Sequence, residues 1–249
     1  MRYVLKIAYD GTAYAGWQRQ KNAPTVQQIL EETILSALGQ DLRVTASGRT
    51  DAGVHAAGQV CHFDSDVITV PPEIIPYCLN RFLPPDIRIV EGGGTDATFD
   101  ANRSAKRKTY CYSLYVSPRE MPLKERFATR IDNAPNQAQL QEIARLFEGE
   151  HDYKAFCASG SSVKTTVRTV YEVHVEESES FSSRDIRIYV TGNGFLYNMV
   201  RTMAGTILAI ADGKRTREDL LSAYQTGERS LLGKTMPAKA LTLMDVKYD

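Results

Sequence analysis

The 249-residue chain lacks several features that would give a quick reading. It has no net charge, because 30 Lys and Arg are balanced by 30 Asp and Glu. No global positive field draws it to a polyanion, so any nucleic-acid site must be a local patch. Cysteine is sparse: Cys61, Cys78, Cys111 and Cys157 form no CxxC pair. A chain this long and apolar needs no disulfide staples, which predicts four reduced thiols in a cytoplasmic protein. Long apolar runs are missing too. The longest low-charge stretch, from Gly192 to Met199 and on from Thr202 to Ala211, is broken by Arg201, and neither part approaches the roughly 20 residues that span a bilayer. The opening Met1-Arg2-Tyr3-Val4-Leu5-Lys6 carries charge within its apolar stretch and reads as a strand, not a signal peptide. No GxGxxG, GxxxxGK[ST] or GxSxG pattern occurs, which argues against a nucleotide-phosphate cradle and a hydrolase elbow. Asp51, His55, Cys61 and His62 lack metal-ligand spacing, so no metal is expected.

What is present suffices for a sizeable core: 43% of residues are hydrophobic, enough for one large domain or two of about 100–150 residues. Tyr3, Leu5 and Ile7 alternate with less apolar neighbours and predict an opening strand. Thr25 followed by Gln28 reads as a capping box. Val26, Ile29, Leu30, Ile34, Leu35 and Leu38 then form a helical stripe, which Gly39 ends. Residues 43–46 and 59–63 read as strands flanking the segment 47–58. Pro71-Pro72 opens a short helix to about Arg81, and strands follow at 87–89 and 108–116.

The second half repeats this mixture. Leu140, Ile143, Ala144 and Phe147 mark a helix ended by Gly149, and Ser159–Ser162 reads as a loop. Segments 171–175 and 186–190 alternate as paired antiparallel strands with Glu172, His174 and Arg187 outward. A helix period begins at Leu196, a short helix lies near 217–224, and a last strand follows from Leu241. The elements lack strict βαβ alternation, so the class is α+β. The similar content of the two halves suggests a duplicated core, although no repeat is visible at the residue level.

Three segments carry chemistry. The first runs Ala46-Ser47-Gly48-Arg49-Thr50-Asp51-Ala52-Gly53-Val54-His55-Ala56. It is a tight loop between strands that presents a carboxylate beside a guanidinium, which favours the ionised acid. Such an Asp can be a nucleophile, a base or a metal ligand; it can equally be an Asx-turn that caps the loop. The second segment, 101–112, has Arg103, Lys106, Arg107 and Lys108 with no acid, followed by Tyr110, Tyr112 and Tyr115. Cations for phosphates beside aromatics for bases suit RNA, while tyrosine is also an ordinary strand residue. The third is Gly192-Asn193-Gly194-Phe195-Leu196-Tyr197-Asn198-Met199-Val200-Arg201, a turn into a helix. Arg201 there sits beside the apolar stripe, bordering a cleft or simply on the surface.

Taken together, these segments resemble the tRNA pseudouridine synthase A family. The match runs collinearly over nearly the whole chain, through Tyr9-Asp10-Gly11-Thr12, Gly16-Trp17-Gln18, Gly48 to Ala56, Ser104-Ala105, Tyr110, Val167-Arg168-Thr169 and Phe195 to Arg201. The resemblance implies a pseudouridine synthase fold, two similar α+β halves sharing a mixed, largely antiparallel sheet flanked by helices. Residues 1–103 would carry the catalytic Asp loop, and residues 104–249 would complete the cleft. It implies Asp51 as the nucleophile, Tyr110 packed on the target uracil, and Arg49 and Arg201 as substrate-binding residues. Arg103, Lys106, Arg107 and Lys108 are RNA-binding candidates. The implied reaction isomerises uridines 38 to 40 of the tRNA anticodon stem-loop. It breaks N1–C1′, turns the base and forms C5–C1′, with no cofactor or metal. A homodimer is also implied. Two departures stand out: Phe99-Asp100-Ala101-Asn102 where the family usually has Phe-His-Ala-Arg, and Ala240-Leu241 where it usually has Gly-Leu. Two alternatives compete: a non-catalytic structured-RNA-binding protein on the same scaffold, and an aspartate-nucleophile phosphatase. The phosphatase lacks its second acid, because Thr50-Asp51-Ala52-Gly53 is no DxDx[TV] loop.

Overall fold

The computed structural model describes residues 1–158 and 164–249, so the loop reading of Ser159–Ser162 lies outside the described residues. The chain forms two compact units, Met1–Lys106 with Thr242–Asp249, and Arg107–Leu241. In chain order the first contains β1 (Arg2–Tyr9), α1 (Val26–Leu38), β2 (Thr45–Ala46), β3 (His55–Asp64), α2 (Ile75–Asn80) and β4 (Ile87–Thr95). The second contains β5 (Arg107–Val116), β6 (Thr129–Ile131), α3 (Gln137–Arg145), β7 (Gly149–Asp152), β8 (Val167–Ser180), β9 (Ser183–Gly192), α4 (Met199–Ala211) and α5 (Arg217–Thr226). The last strand, β10 (Leu241–Lys247), returns to the first unit and pairs in parallel with β3, Thr242 opposite His55. The expected division at 103/104 did not anticipate this return, because local pattern cannot show which sheet a terminal strand joins.

Strand order in the first unit is β4-β1-β3-β10, with β2 on β3. Alternation places Tyr3, Leu5, Ile7 and Tyr9 of β1 in the core. On α1, Val26, Leu30 and Ile34 are fully buried, each contributing about 1.5–3 kcal/mol by leaving water. Thr25 caps α1 by accepting from the Gln28 N–H at 3.3 Å, while the Gln28 amide bonds Glu32 at 2.9 Å instead of returning to the cap. Only half of the expected capping box forms. Gly39 ends the helix in the left-handed region, φ 69°. Buried Glu31 accepts from Gln27 and the Val44 N–H and pairs with Arg19 at 2.9 Å and Arg43 at 2.6 Å, tying both loops to α1.

The second unit has the order β5-β9-β8-β7, with β6 parallel to β5. Tyr110 and Val173 both face Val190 across the antiparallel ladder. Tyr112, Leu114, Ile186, Ile188, Val173 and Val175 make one buried face. α3 contributes Leu140 and Ala144 to the core, and α4 contributes Met199, Met203 and Ile207. Beyond its pairing with β7, the edge of β8 is satisfied by side chains: Gln137, Gln141 and Glu148 bond the backbone of Val173 and Val175. This blunts an otherwise open edge. Glu172, His174 and Arg187 are exposed, as alternation predicts. Most strands are antiparallel, and the class is α+β. All four cysteines are free thiols. No helix among the described residues is long and apolar enough to cross a membrane.

Candidate active-site residues

The Asp51 loop is held by hydrogen bonds within the first unit. It leaves β2 at Ala46 and enters β3 at His55, so the strand starts earlier than the expected loop end at residue 58. Its base is fixed by Ser47, whose N–H donates to the Val60 carbonyl at 2.7 Å and whose Oγ lies 2.6 Å from Gln59 Oε1. The Gln59 amide donates to the Gly48 carbonyl at 2.9 Å. At the turn, buried Thr50 shares a hydrogen bond with the Tyr9 hydroxyl at 2.8 Å, and its carbonyl accepts from the Trp17 N–H at 3.0 Å. Gly53, at φ 76°, supplies the left-handed step, and its N–H donates to the Tyr14 carbonyl at 3.2 Å. Arg49 and Ala52 point outward, and Asp51 is half-buried. Anchored residues therefore alternate with presented ones.

The loop rests against the segment 9–17, and two glycines there permit the approach. A Cβ on Gly11 would lie 2.0 Å from the Val54 carbonyl oxygen, and one on Gly16, at φ 87°, 2.5 Å from that of Thr50. Buried Trp17 and Tyr9 close this support, their ring centroids 6.2 Å apart. Read in sequence, residues 10–20 indicated only the lack of a phosphate cradle. The two closely spaced glycines just before the sole tryptophan are the signal that identifies a packing partner for another loop.

Asn102 is a second support that sequence reasoning missed. Its amide donates to the Ser47 carbonyl at 2.6 Å. Asp100 caps the turn: its carboxylate accepts the N–H groups of Asn102 and Arg103, each at 2.9 Å. Those backbone donors, Arg103's first, hold the Asp100 carboxyl below its ordinary range. The departure at residues 99–102 thus places a neutral amide on the base of the Asp51 loop, with an ionised acid beside Arg103.

The basic segment is split by the fold. Arg103 and Lys106 are exposed in the first unit; Arg107 and Lys108 open β5 in the second. Strand alternation turns Arg107 and Lys108 to opposite faces. The Arg107 guanidinium lies 5.0 Å from the centre of the Tyr171 ring. Lys108 is partly buried. Burial, with Arg168 beside it, pushes its ammonium down to about 8.

Tyr110 lies two residues further along β5, 8% exposed, with Phe195 edge-on at 5.2 Å. Tyr112 and Tyr115 are fully buried. Tyr112 donates to the Pro237 carbonyl at 2.9 Å, and burial raises its pKa. These two are core residues, so the tyrosine-rich reading of β5 narrows to Tyr110. Arg201 projects from the first turn of α4, half-buried. Its Nε donates to the Met236 carbonyl at 2.7 Å and its Nη1 to Asn198 Oδ1 at 2.6 Å. Asn198 itself takes the left-handed region, φ 65°. The chain at 233–236 crosses α4 closely because Gly205 and Gly233 lack side chains; a Cβ on Gly205 would sit 1.9 Å from the Lys234 carbonyl oxygen. Ala240, at the other departure, is fully buried before β10.

A tight, doubly anchored loop presenting one carboxylate fits nucleophilic or proton-transfer chemistry on a bound substrate. Comparison with known proteins defines the class. The family model described as tRNA pseudouridine synthase matches residues 6–100 and 143–249. The chain belongs to this family, whose enzymes are isomerases. It is 42% identical over 246 residues to tRNA pseudouridine synthase A of Ruminiclostridium cellulolyticum, covering 98% of each chain. It is 39% identical over 249 residues to the protein of that name from Acetivibrio thermocellus, covering 100% of each. A solved Cbf5-Nop10-Gar1 complex aligns at 13% identity, TM-score 0.37, over 83% of this chain and 44% of the other.

Proposed function

We infer that the protein isomerises uridine to pseudouridine at positions 38 to 40 of the tRNA anticodon stem-loop, with Asp51 as nucleophile. The observation that carries this reading is the Asp51 loop: Ser47 and Thr50 are pinned, Gly11 and Gly16 admit close backbone support, and the acid between the anchors is half-exposed. The full-length similarity to proteins named tRNA pseudouridine synthase A supplies the substrate class. The family resemblance also supports a homodimer in the cytoplasm.

The chemistry requires little beyond a positioned carboxylate. Breaking N1–C1′ and making C5–C1′ leaves the atom count unchanged, so no group donor is consumed. The target nucleotide must leave its stack, at a cost of a few kcal/mol. Stacking on Tyr110, at about 1–3 kcal/mol for one base, and phosphate contacts from Arg49, Arg201 and the basic segment offset that cost. The Asp51 carboxylate then attacks the extruded nucleoside and is released when N1–C1′ has been exchanged for C5–C1′; the proton lost from C5 is balanced by one taken up at N1. Release of tritium from tRNA labelled at uracil C5 tests the reading. Release with the label mapped to positions 38, 39 and 40 supports it. No release from tRNA lacking prior modification would overturn it.

A further inference from the structure

Resting on the reading of Asp51 as the nucleophile, we propose that Tyr248 is a positioning residue for the reaction: through Ala101 and Asn102 it fixes the Ser47 carbonyl at the base of the Asp51 loop. Tyr248 directly follows β10, and its hydroxyl donates to the Ala101 carbonyl at 2.8 Å. Asn102, the next residue, carries the amide that donates to the Ser47 carbonyl at 2.6 Å. All of these residues belong to the first unit.

The turn leaves Asn102 little freedom because the peptide planes before it are held. A peptide group is rigid and planar, so the Ala101 carbonyl and the Asn102 N–H move as one. Tyr248 holds that plane at the carbonyl, and the Asp100 carboxylate holds it at the N–H, at 2.9 Å. The preceding plane is held by His62, whose Nδ1 accepts the Ala101 N–H at 3.1 Å. Ala101 is fully buried, so neither of its backbone groups can turn to water instead. The Tyr248 ring is itself placed. It lies 4.8 Å from the Phe99 ring, and Phe99 meets His62 edge-on at 6.2 Å. Arg2 donates to the carbonyls of Ala97 and Phe99, and the Lys106 N–H donates to the Lys247 carbonyl at 2.8 Å. Burial, with Cys61, Asp100 and Asp245 nearby, raises the pKa of the Tyr248 hydroxyl, so it remains a donor near neutral pH. Beyond Asn102 the tie is short: buried Ser47 begins the loop that presents Asp51. A change that loosens Asn102 therefore shifts the carboxylate, and small displacements of a reacting group cost large factors in rate.

The test follows single-turnover pseudouridine formation, by tritium release with enzyme in excess over C5-labelled tRNA, beside tRNA affinity by fluorescence anisotropy. Tyr248→Phe keeps the ring against Phe99 and deletes only the bond to Ala101. Its rate is expected to fall about fivefold, with affinity within about twofold of wild type. In an Asn102→Ala background, itself about tenfold slower, Tyr248→Phe should add no further loss, because its effect runs through an amide that is no longer there. Tyr3→Phe deletes the same kind of bond, from its hydroxyl to the Ile68 carbonyl at 3.2 Å. It lies in the same unit but off this path, and should leave the rate unchanged. A wild-type rate in Tyr248→Phe would overturn the proposal. So would an equal loss in Tyr3→Phe, or a double-variant loss near the product of the two singles, about fiftyfold. If Tyr248→Phe fails to fold, His62→Leu removes the other bond to Ala101 and is read against Asn102→Ala in the same way. Asp51→Asn, run in parallel, separates the two readings. Product from it defeats the nucleophile assignment whatever Tyr248 does. No product from it, with a wild-type rate in Tyr248→Phe, defeats only the positioning role.

Discussion

Replacing Lys108 by Met should stabilise the protein at neutral pH, by an amount the structure bounds. The ammonium falls from its ordinary 10.5 to about 8 because folding strips it of water beside Arg168. At about 1.4 kcal/mol for each pH unit, holding it charged in the fold costs at most about 3 kcal/mol. Residual solvent contact reduces that, so a gain of about 1–3 kcal/mol is expected for an apolar chain of the same length. The direction with pH follows from the depressed value. The penalty is complete below pH 8, where the folded form is still charged. It declines as the group loses its proton in the fold, and it vanishes above 10.5, where both states are neutral. Urea unfolding of wild type and Lys108→Met at pH 7, 9 and 10.5 reads this directly. The expected advantage is greatest at pH 7 and absent at 10.5; a variant less stable than wild type at pH 7, or equally improved at every pH, would refute the reasoning.

Other perturbations follow from named contacts. Glu31→Ala removes the buried carboxylate that gathers Arg19, Arg43, Gln27 and the Val44 N–H; a loss of about 2–4 kcal/mol by urea unfolding is expected, and a loss under 0.5 kcal/mol would show that the cluster is only decorative. Gly16→Ala forces a Cβ to within 2.5 Å of the Thr50 carbonyl oxygen at a positive φ. Turnover should fall at least about a hundredfold from a small displacement of Asp51 while tRNA affinity stays within threefold, and unchanged turnover would contradict the support role. Asn102→Ala deletes the bond to the Ser47 carbonyl. At about 1–1.5 kcal/mol, a roughly tenfold drop in kcat is expected, and a change in KM alone would place Asn102 on the RNA instead.

Much of this was legible from local pattern. The α1 stripe with Thr25 and Gly39 as its ends, the β8–β9 pair with Glu172, His174 and Arg187 outward, and the tight loop carrying Asp51 all follow from period, cap and glycine placement. Contacts between distant segments were not legible. Nothing within residues 9–17 says that Gly11 and Gly16 exist to admit the backbone of residues 50–54. Asn102 reads as a substitution in a motif until its amide is found on Ser47. The tyrosines of β5 share one composition signal, yet burial separates Tyr112 and Tyr115 from Tyr110. Charge counting over 101–112 stopped one residue short of Asp100, and it could not show that Lys108 is partly buried within reach of the Arg168 charge. The return of β10 to β3 is likewise a property of sheet assembly, not of the last strand's own residues.

The most direct test of the account is pseudouridine formation by Asp51→Asn in unmodified tRNA, measured by tritium release beside its binding affinity. The exchange keeps the side chain's shape and removes its charge and nucleophilicity, so the account predicts wild-type-like binding with no product. Appreciable pseudouridine at positions 38 to 40 from that variant would contradict it.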